Sequence, residues 1–382
     1  MRGRWLVAAL ATLAALLILV DSSISSWPWT KTHGSSAPPQ LRSSLMPPPH
    51  PDASSPSPPP PPQPPALTTA PAENALNIVV PADAALLPGV AGLVRSAQAH
   101  ATGRLRFLVL TPASDAHEAW RTLGCLGAAG RAGKCSVEIV PLSEAWINAT
   151  LLPRIRVNAD PTVTGHLGSP LNFARFFLPT LLPPDARDRT VLYLDADIIV
   201  QGDVSALARQ TRLPRRCAVG AVPRHDAHFR YSRYEKKCAG LFAQRYPAQV
   251  FNRSAETFNA GVTFIDLAAW QRLHLTEEAE WWMDRHTNDR AGGLWHLGSQ
   301  PIMHLILHSR WHALPEHWNL DGLGRVSSID SRSLHEAKLL HWTGRRKPWL
   351  PNGLHVDLFR RHVPQDAVRR CLPRLSSTEG RL

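Results

Sequence analysis

Thr190-Val-Leu-Tyr-Leu194 runs directly into Asp195-Ala196-Asp197 and then Ile198-Ile-Val200. Five uncharged residues rich in β-branched and aromatic side chains read as a buried strand. Two carboxylates follow where that strand ends. Side chains two apart on an extended segment point the same way, and the small Ala196 leaves room between them. The pair therefore makes a hard oxygen site for Mg²⁺ or Mn²⁺, and a metal there can hold the diphosphate of a nucleotide. The competing reading is a solvated acidic turn.

Upstream, strand and helix patterns alternate. Asn77-Ile-Val-Val80 reads as a buried strand ending in the loop Pro81-Ala-Asp83. Ala84 to Ala101 has helical spacing through Leu86, Val90, Leu93, Val94 and Ala97. Leu105 to Leu110 is a second strand. Asp115 is placed to cap a helix over Ala116 to Leu126, and Ser136 to Val140 is a third strand. Leu171 to Phe177 looks helical, Phe258 to Ile265 is another strand, and Leu267 to His286 is largely helical. This alternation predicts an α/β fold with a mostly parallel sheet flanked by helices. Such sheets bind ligands beyond the carboxyl ends of their strands, which is where Asp195 and Asp197 fall.

The 382 residues divide unevenly. Residues 1–4 form a short basic tail with two arginines. Trp5 to Val20 is an unbroken apolar run, and Asp21 ends it. At about 1.5 Å per residue the run spans ~24 Å, enough for a thin bilayer. Arginines on its N-terminal side alone favour a cytosolic tail with the rest of the chain in a lumen. We read residues 5–20 as a transmembrane signal anchor; a cleaved signal peptide is the alternative. Residues 21–72 hold 16 of the 35 prolines and read as an extended, disordered stem. A ligand for a proline-recognising domain is the other use of such a stretch. Residues 73–382 are the folded part and carry most of the net charge of +12. That distribution excludes a wholly disordered chain, a collagen and a polytopic membrane protein; nucleic acid is excluded by the luminal topology.

Asn148-Ala-Thr150 and Asn252-Arg-Ser254 are N-glycan acceptor sequons. The five cysteines show no zinc spacing, and proximity suggests Cys125 with Cys135 and Cys217 with Cys238.

A second chemical segment is His341-Trp-Thr-Gly-Arg-Arg-Lys-Pro-Trp349. Leu339-Leu340 reads as a strand delivering His341, whose imidazole can complete a metal site. Gly344 permits a backbone shape other residues resist, and Lys347 offers a point charge to phosphate. The bland reading is a core histidine and a basic surface loop. His304 and His308, four apart on a helix, are a competing metal pair lacking an obvious third ligand.

Together these pieces resemble glycosyltransferase family 8, the retaining nucleotide-sugar transferases, and most nearly its plant galacturonosyltransferase-like branch. The residues that carry the resemblance are Pro170-Leu-Asn-Phe-Ala-Arg175, Val191 to Val200, Phe258-Asn-Ala-Gly-Val262, Leu297-Gly-Ser-Gln-Pro301, Trp318-Asn319 with Gly322-Leu-Gly324, and His341 to Trp349. They run in family order over roughly Asn77 to Leu350. The resemblance implies a GT-A type nucleotide-sugar-binding fold in which Asp195, Asp197 and His341 coordinate Mn²⁺ (or Mg²⁺). It also implies that Ala196, Gly344 and Lys347 lie along the diphosphate and that Ala82 and Asp83 border the uridine. Arg175 and Asn259 match residues that approach the donor sugar, and Gln300 falls near the reacting carbon. Ser299 stands where many members have an aspartate.

The implied activity is transfer from a UDP-sugar (UDP-galacturonate, UDP-galactose, UDP-glucose or UDP-xylose) to a glycan or glycoprotein acceptor, by an enzyme anchored in the Golgi membrane. A different class also fits the stem: a non-catalytic, proline-rich wall or matrix protein binding acidic glycans. The joint presence of Asp195, Asp197, His341, Gly344 and Lys347 separates the two, since a binding module needs no such set.

Overall fold

The computed structural model describes residues 75–156, 168–187, 189–224, 230–233, 235–295, 298–308 and 310–372. All of them lie within one compact unit, Thr68–Leu382. The tail, anchor and stem expected over residues 1–72 lie outside the described residues. Among the described residues no helix is long and apolar enough to cross a membrane.

Eleven strands are described: β1 (Leu76–Pro81), β2 (Leu105–Pro112), β3 (Arg131–Ala132), β4 (Cys135–Leu142), β5 (Thr190–Leu194), β6 (Ile198–Val200), β7 (Val219–Arg224), β8 (Thr257–Asp266), β9 (His312–Ala313), β10 (Leu320–Asp321) and β11 (Leu339–His341). The main sheet has the order β3-β4-β2-β1-β5-β8-β7-β9, and a small second sheet the order β10-β11-β6. Strands β4, β2, β1 and β5 pair in parallel, as the alternation predicts. β8 departs from that expectation. It lies antiparallel to both β5 and β7 and is inserted between them, reached from β7 by way of the helix Glu235–Arg245. The sheet is therefore mixed.

Both faces of the main sheet are apolar, as buried parallel strands require. Ile78, Val80, Phe107, Val109, Leu192 and Leu194 point into a core with the helix Leu87–His100. Their neighbours Val79, Leu108, Leu110, Val191 and Tyr193 point into the opposite core. Ile78, Val79 and Val80 are fully buried, each contributing about 1.5–3 kcal/mol. Alternation along β1 and β5 thus builds two cores at once and leaves only the strand ends free for polar chemistry.

Two local expectations are corrected and one, the helical segment, is borne out and refined. Asp115 sits at the N-terminus of the helix Ala116–Cys125 but makes no capping bond; nearby, Glu144 accepts from the Ser114 amide at 2.7 Å. The segment Leu267 to His286 is two helices, Leu267–Arg272 and Leu275–Thr287, broken where His274 adopts a left-handed conformation (φ 53°). The cysteine pairing is the third. Cys125 bonds Cys371, 246 residues away, while Cys135, Cys217 and Cys238 are free and buried. Proximity in sequence misleads here because β4 carries Cys135 into the sheet, where burial pushes its thiol up to about 11, while the C-terminal helix Gln365–Cys371 returns to the end of the helix bearing Cys125.

Candidate active site

Asp195-Ala196-Asp197 is the turn between β5 and β6, where the chain leaves the main sheet for the small one. It is not the extended segment the spacing suggests. The turn is pinned on both sides: the Asp195 amide donates to Gly261 O of β8 at 2.8 Å, and the Trp342 amide donates to Asp197 O at 2.9 Å. β11 pairs antiparallel with β6 so that His341 lies opposite Ile198, which sets the histidine beside Asp197. Leu339-Leu340 is indeed the strand that delivers it.

The three side chains converge. His341 Nε2 lies 3.3 Å from Asp197 Oδ1 and 3.7 Å from Asp195 Oδ2. Among the described residues they form the one group of histidine, cysteine and acidic side chains close enough to hold a metal ion, with ligand atoms within 4.8 Å of one another. Adjacent ligands about 2.1 Å from one octahedral ion stand ~3 Å apart, so small shifts close the set. The other ring nitrogen, Nδ1, donates to Asn319 Oδ1 at 3.0 Å. That bond orients the ring so that Nε2 is the nitrogen presented to the carboxylates. The neighbouring backbone keeps the space clear, since a Cβ at Gly261 would overlap both Asp195 Oδ2 and His341 Cε1. The residues present fit a divalent cation.

Two resident cations flank the carboxylates. Arg175, almost fully buried, reaches Asp195 Oδ1 at 3.3 Å. It is held by bonds to Asn172 O (2.9 Å) and Ala260 O (2.8 Å) and stacks over the Tyr193 ring at 4.5 Å. The Lys347 ammonium pairs with Asp197 Oδ2 and donates to Trp342 O at 2.9 Å. Burial pushes the Asp197 carboxyl up, but Lys347 and His341 together outweigh it and hold the group well below the usual carboxylate range.

The remaining expected residues surround this centre. β1 runs beside β5 with Val79 opposite Tyr193, so Ala82 and Asp83 leave the sheet next to the aspartate turn. Ala82 is buried, and Asp83 accepts from the Ala85 amide at 3.1 Å, capping a short helical turn. Ala196 is buried under the helix Leu87–His100, where any side chain at Gly89 would strike its carbonyl. Asn259 Oδ1 accepts from the Gly261 amide at 2.8 Å. Gln300 Oε1 accepts from the Ala260 amide at 3.2 Å, and its Nε2 is buried with no hydrogen-bond partner among the described residues. Gly344 has φ 113°, and a Cβ there would strike the carbonyl of Gly324; the two glycines let the turns 322–325 and 342–346 lie in contact. Ser299 is buried at the start of the helix Gln300–Ile306.

Sequence reasoning gave no role to Asn319, Tyr193, Gly89 or Arg224. Asn319 carried a signal only as part of Trp318-Asn319, one of the segments behind the family resemblance, with no task attached to its side chain. Arg224 pairs with Asp321 at 2.8 Å, tying the end of β7 to the strand beside His341. The pair His304 and His308 is not a second metal site. His304 Nε2 bonds Phe258 O at 2.8 Å, and burial pushes its pKa down to about 4. His308 Nε2 faces Asn252 instead, accepting from its amide at 3.1 Å.

A family model for glycosyl transferase family 8 matches residues 77–353. The chain belongs to glycosyl transferase family 8. Within the family it is 34% identical over 224 residues to "Probable galacturonosyltransferase-like 7" of Arabidopsis thaliana, covering 56% of each chain. It is 33% identical over 241 residues to "Probable galacturonosyltransferase-like 6" of the same plant, covering 57% of this chain and 63% of that one. It is 27% identical over 253 residues to human "Glycosyltransferase 8 domain-containing protein 1", covering 58% and 65%. The matches thus span less than two thirds of these relatives' lengths. Among solved structures, the family 8 domain resembles the galactosyltransferase LgtC in complex with donor and acceptor sugar analogues (TM-score 0.54, 18% identity, 78% of this chain and 100% of that one). It also resembles the bifunctional glycosyltransferase WbbM (TM-score 0.55, 20% identity, 79% and 52%). At these identities the likeness shows the fold, a GT-A-like glycosyltransferase fold, and the Asp-Asp-His cluster of this chain is suited to a divalent metal within it.

Proposed function

We propose that this family 8 chain is a retaining glycosyltransferase that takes the sugar of a UDP-sugar and delivers it to a hydroxyl of a glycan or glycoprotein acceptor. The observation that carries the reading is the convergence of Asp195, Asp197 and the Asn319-oriented His341 at the carboxyl end of β5. These three would hold Mn²⁺ or Mg²⁺, which when bound supplies Lewis-acid stabilisation of the leaving diphosphate. Lys347 neutralises phosphate charge, the Gly344 turn brings backbone against the phosphates, and Ala82 and Asp83 border the uridine. Arg175 holds Asp195 in place from the sugar side, and Asn259 shapes the β8 backbone there. Gln300 contributes its unpartnered Nε2, a donor in the right state to orient a sugar oxygen.

In the reaction the bond between the anomeric carbon and the UDP oxygen breaks through an oxocarbenium-like state. The acceptor hydroxyl forms the new bond from the leaving-group face, so configuration is retained. Its proton passes to a phosphate oxygen of the departing UDP. The similarity to galacturonosyltransferase-like relatives supports UDP-galacturonate first, with UDP-galactose, UDP-glucose and UDP-xylose as the other donors of the class. The apolar run at residues 5–20 and the proline-rich stem support a type II Golgi membrane protein with residues 73–382 luminal. The Cys125–Cys371 bond and the exposed sequon residues Asn148 and Asn252 agree with an oxidising lumen.

A screen of the four UDP-sugars with Mn²⁺, read as UDP release, tests the reading. Turnover of one donor well above the others is expected, with the product anomer matching the donor's. Release from none of them, or an inverted product, contradicts it.

A further inference from the structure

Each metal-ligating carboxylate already has a cation of its own: Arg175 on Asp195 and Lys347 on Asp197. The cluster is therefore charge-compensated by the protein itself, and a divalent cation arriving alone gains little from two carboxylates whose charge is spent. The two partners differ in how firmly they are held. Arg175 is fixed by two backbone carbonyls and the Tyr193 ring. Lys347 has one further bond, to Trp342 O, and its ammonium ends a flexible four-carbon stem that follows the Gly344 turn. Of the two cations, only Lys347 can change partners.

Resting on the metal and nucleotide reading above, we infer that Lys347 exchanges between Asp197 and the diphosphate of the nucleotide, so that the carboxylate becomes a full metal ligand only when the nucleotide takes the lysine away. The diphosphate supplies the negative charge that draws the ammonium off. Asp197 Oδ2 is then released, while Asp197 Oδ1 keeps its place 3.3 Å from His341 Nε2. Metal and nucleotide thereby tighten each other by the same factor, as linkage requires. The exchange ties the affinity for metal alone to a residue that makes no metal bond.

The test is Mn²⁺ binding to the full chain, by calorimetry and by the loss of the free-ion EPR signal, without UDP and at saturating UDP. Wild type should bind Mn²⁺ weakly alone and roughly tenfold or more tightly with UDP. Lys347→Met should bind Mn²⁺ alone roughly tenfold more tightly than wild type, and the gain from UDP should shrink. Lys347→Arg keeps the charge and should bind Mn²⁺ alone as weakly as wild type. Equal Mn²⁺ affinity of Lys347→Met and wild type, with UDP coupling intact, overturns the exchange while leaving the site reading standing. Should Lys347→Met fail to fold, wild type alone still decides against the exchange if UDP does not change its Mn²⁺ affinity. Absence of Mn²⁺ binding to wild type even with UDP would remove the metal reading and the exchange with it.

Discussion

Asn319 lies behind His341, on the side away from the carboxylates, yet its Oδ1 decides which imidazole nitrogen faces them. Asn319→Ala should therefore weaken Mn²⁺ binding in the presence of UDP by about 10–100-fold, the usual effect of losing such an orienting bond. Asn319→Asp, which keeps an acceptor, should recover much of it; calorimetry with both variants checks this, and unchanged affinity in Asn319→Ala would show that the ring is oriented by other contacts. A second residue-scale effect concerns pH. His304 is fully buried and neutral, with its pKa pushed from the ordinary 6.5 to about 4, by burial first and by the Arg224 charge. Below about pH 6.5 the unfolded chain takes the proton while the folded chain does not, so stability falls as pH drops from there to about 4, by a total of about 3 kcal/mol. Urea unfolding across that range should show a shallower slope in His304→Gln. An identical slope would place the acid sensitivity in other groups.

At the scale of elements, the strands were the legible part, because β1 and β5 are apolar on both faces and β2 and β4 are short, mostly apolar runs interrupted by Arg106 and by Ser136 and Glu138. The antiparallel course of β8 was not legible, since nothing in Phe258 to Ile265 distinguishes a strand that returns from one that crosses over. Asp195, Asp197 and His341 could be nominated from spacing and resemblance. That they meet depends on a three-residue pairing of β6 with β11, too short to leave a pattern. The same limit explains the cysteines, because the contact between the helices Ala116–Cys125 and Gln365–Cys371 has no local signature. Their disulfide closes a loop of 246 residues, and losing it should cost roughly 2–5 kcal/mol. Thermal melts with and without reductant should differ for wild type and coincide for Cys371→Ser. A Cys371→Ser protein that melts like oxidised wild type would mean the helix is held by packing alone.

Across the whole molecule, the main sheet delivers the aspartates, the small sheet delivers His341 and the 342–347 turn, and the salt bridge of Arg224 with Asp321 ties their ends together. The arrangement converts two separately folded edges into one cation site at the carboxyl ends of the parallel strands, where α/β proteins place their ligands. In the reading proposed above, a transmembrane anchor over residues 5–20 would only hold this site at a membrane. The claim on which everything turns is that Asp195, Asp197 and His341 hold a metal that UDP-sugar turnover requires. Its most direct measurement is UDP release from the preferred UDP-sugar after chelation, and again after adding back Mn²⁺, for wild type and Asp197→Ala. Wild type should lose turnover on chelation and regain it with Mn²⁺, and folded Asp197→Ala should stay at least ~100-fold slower at every Mn²⁺ concentration. Full wild-type turnover in excess chelator, or wild-type turnover in Asp197→Ala, would contradict the account.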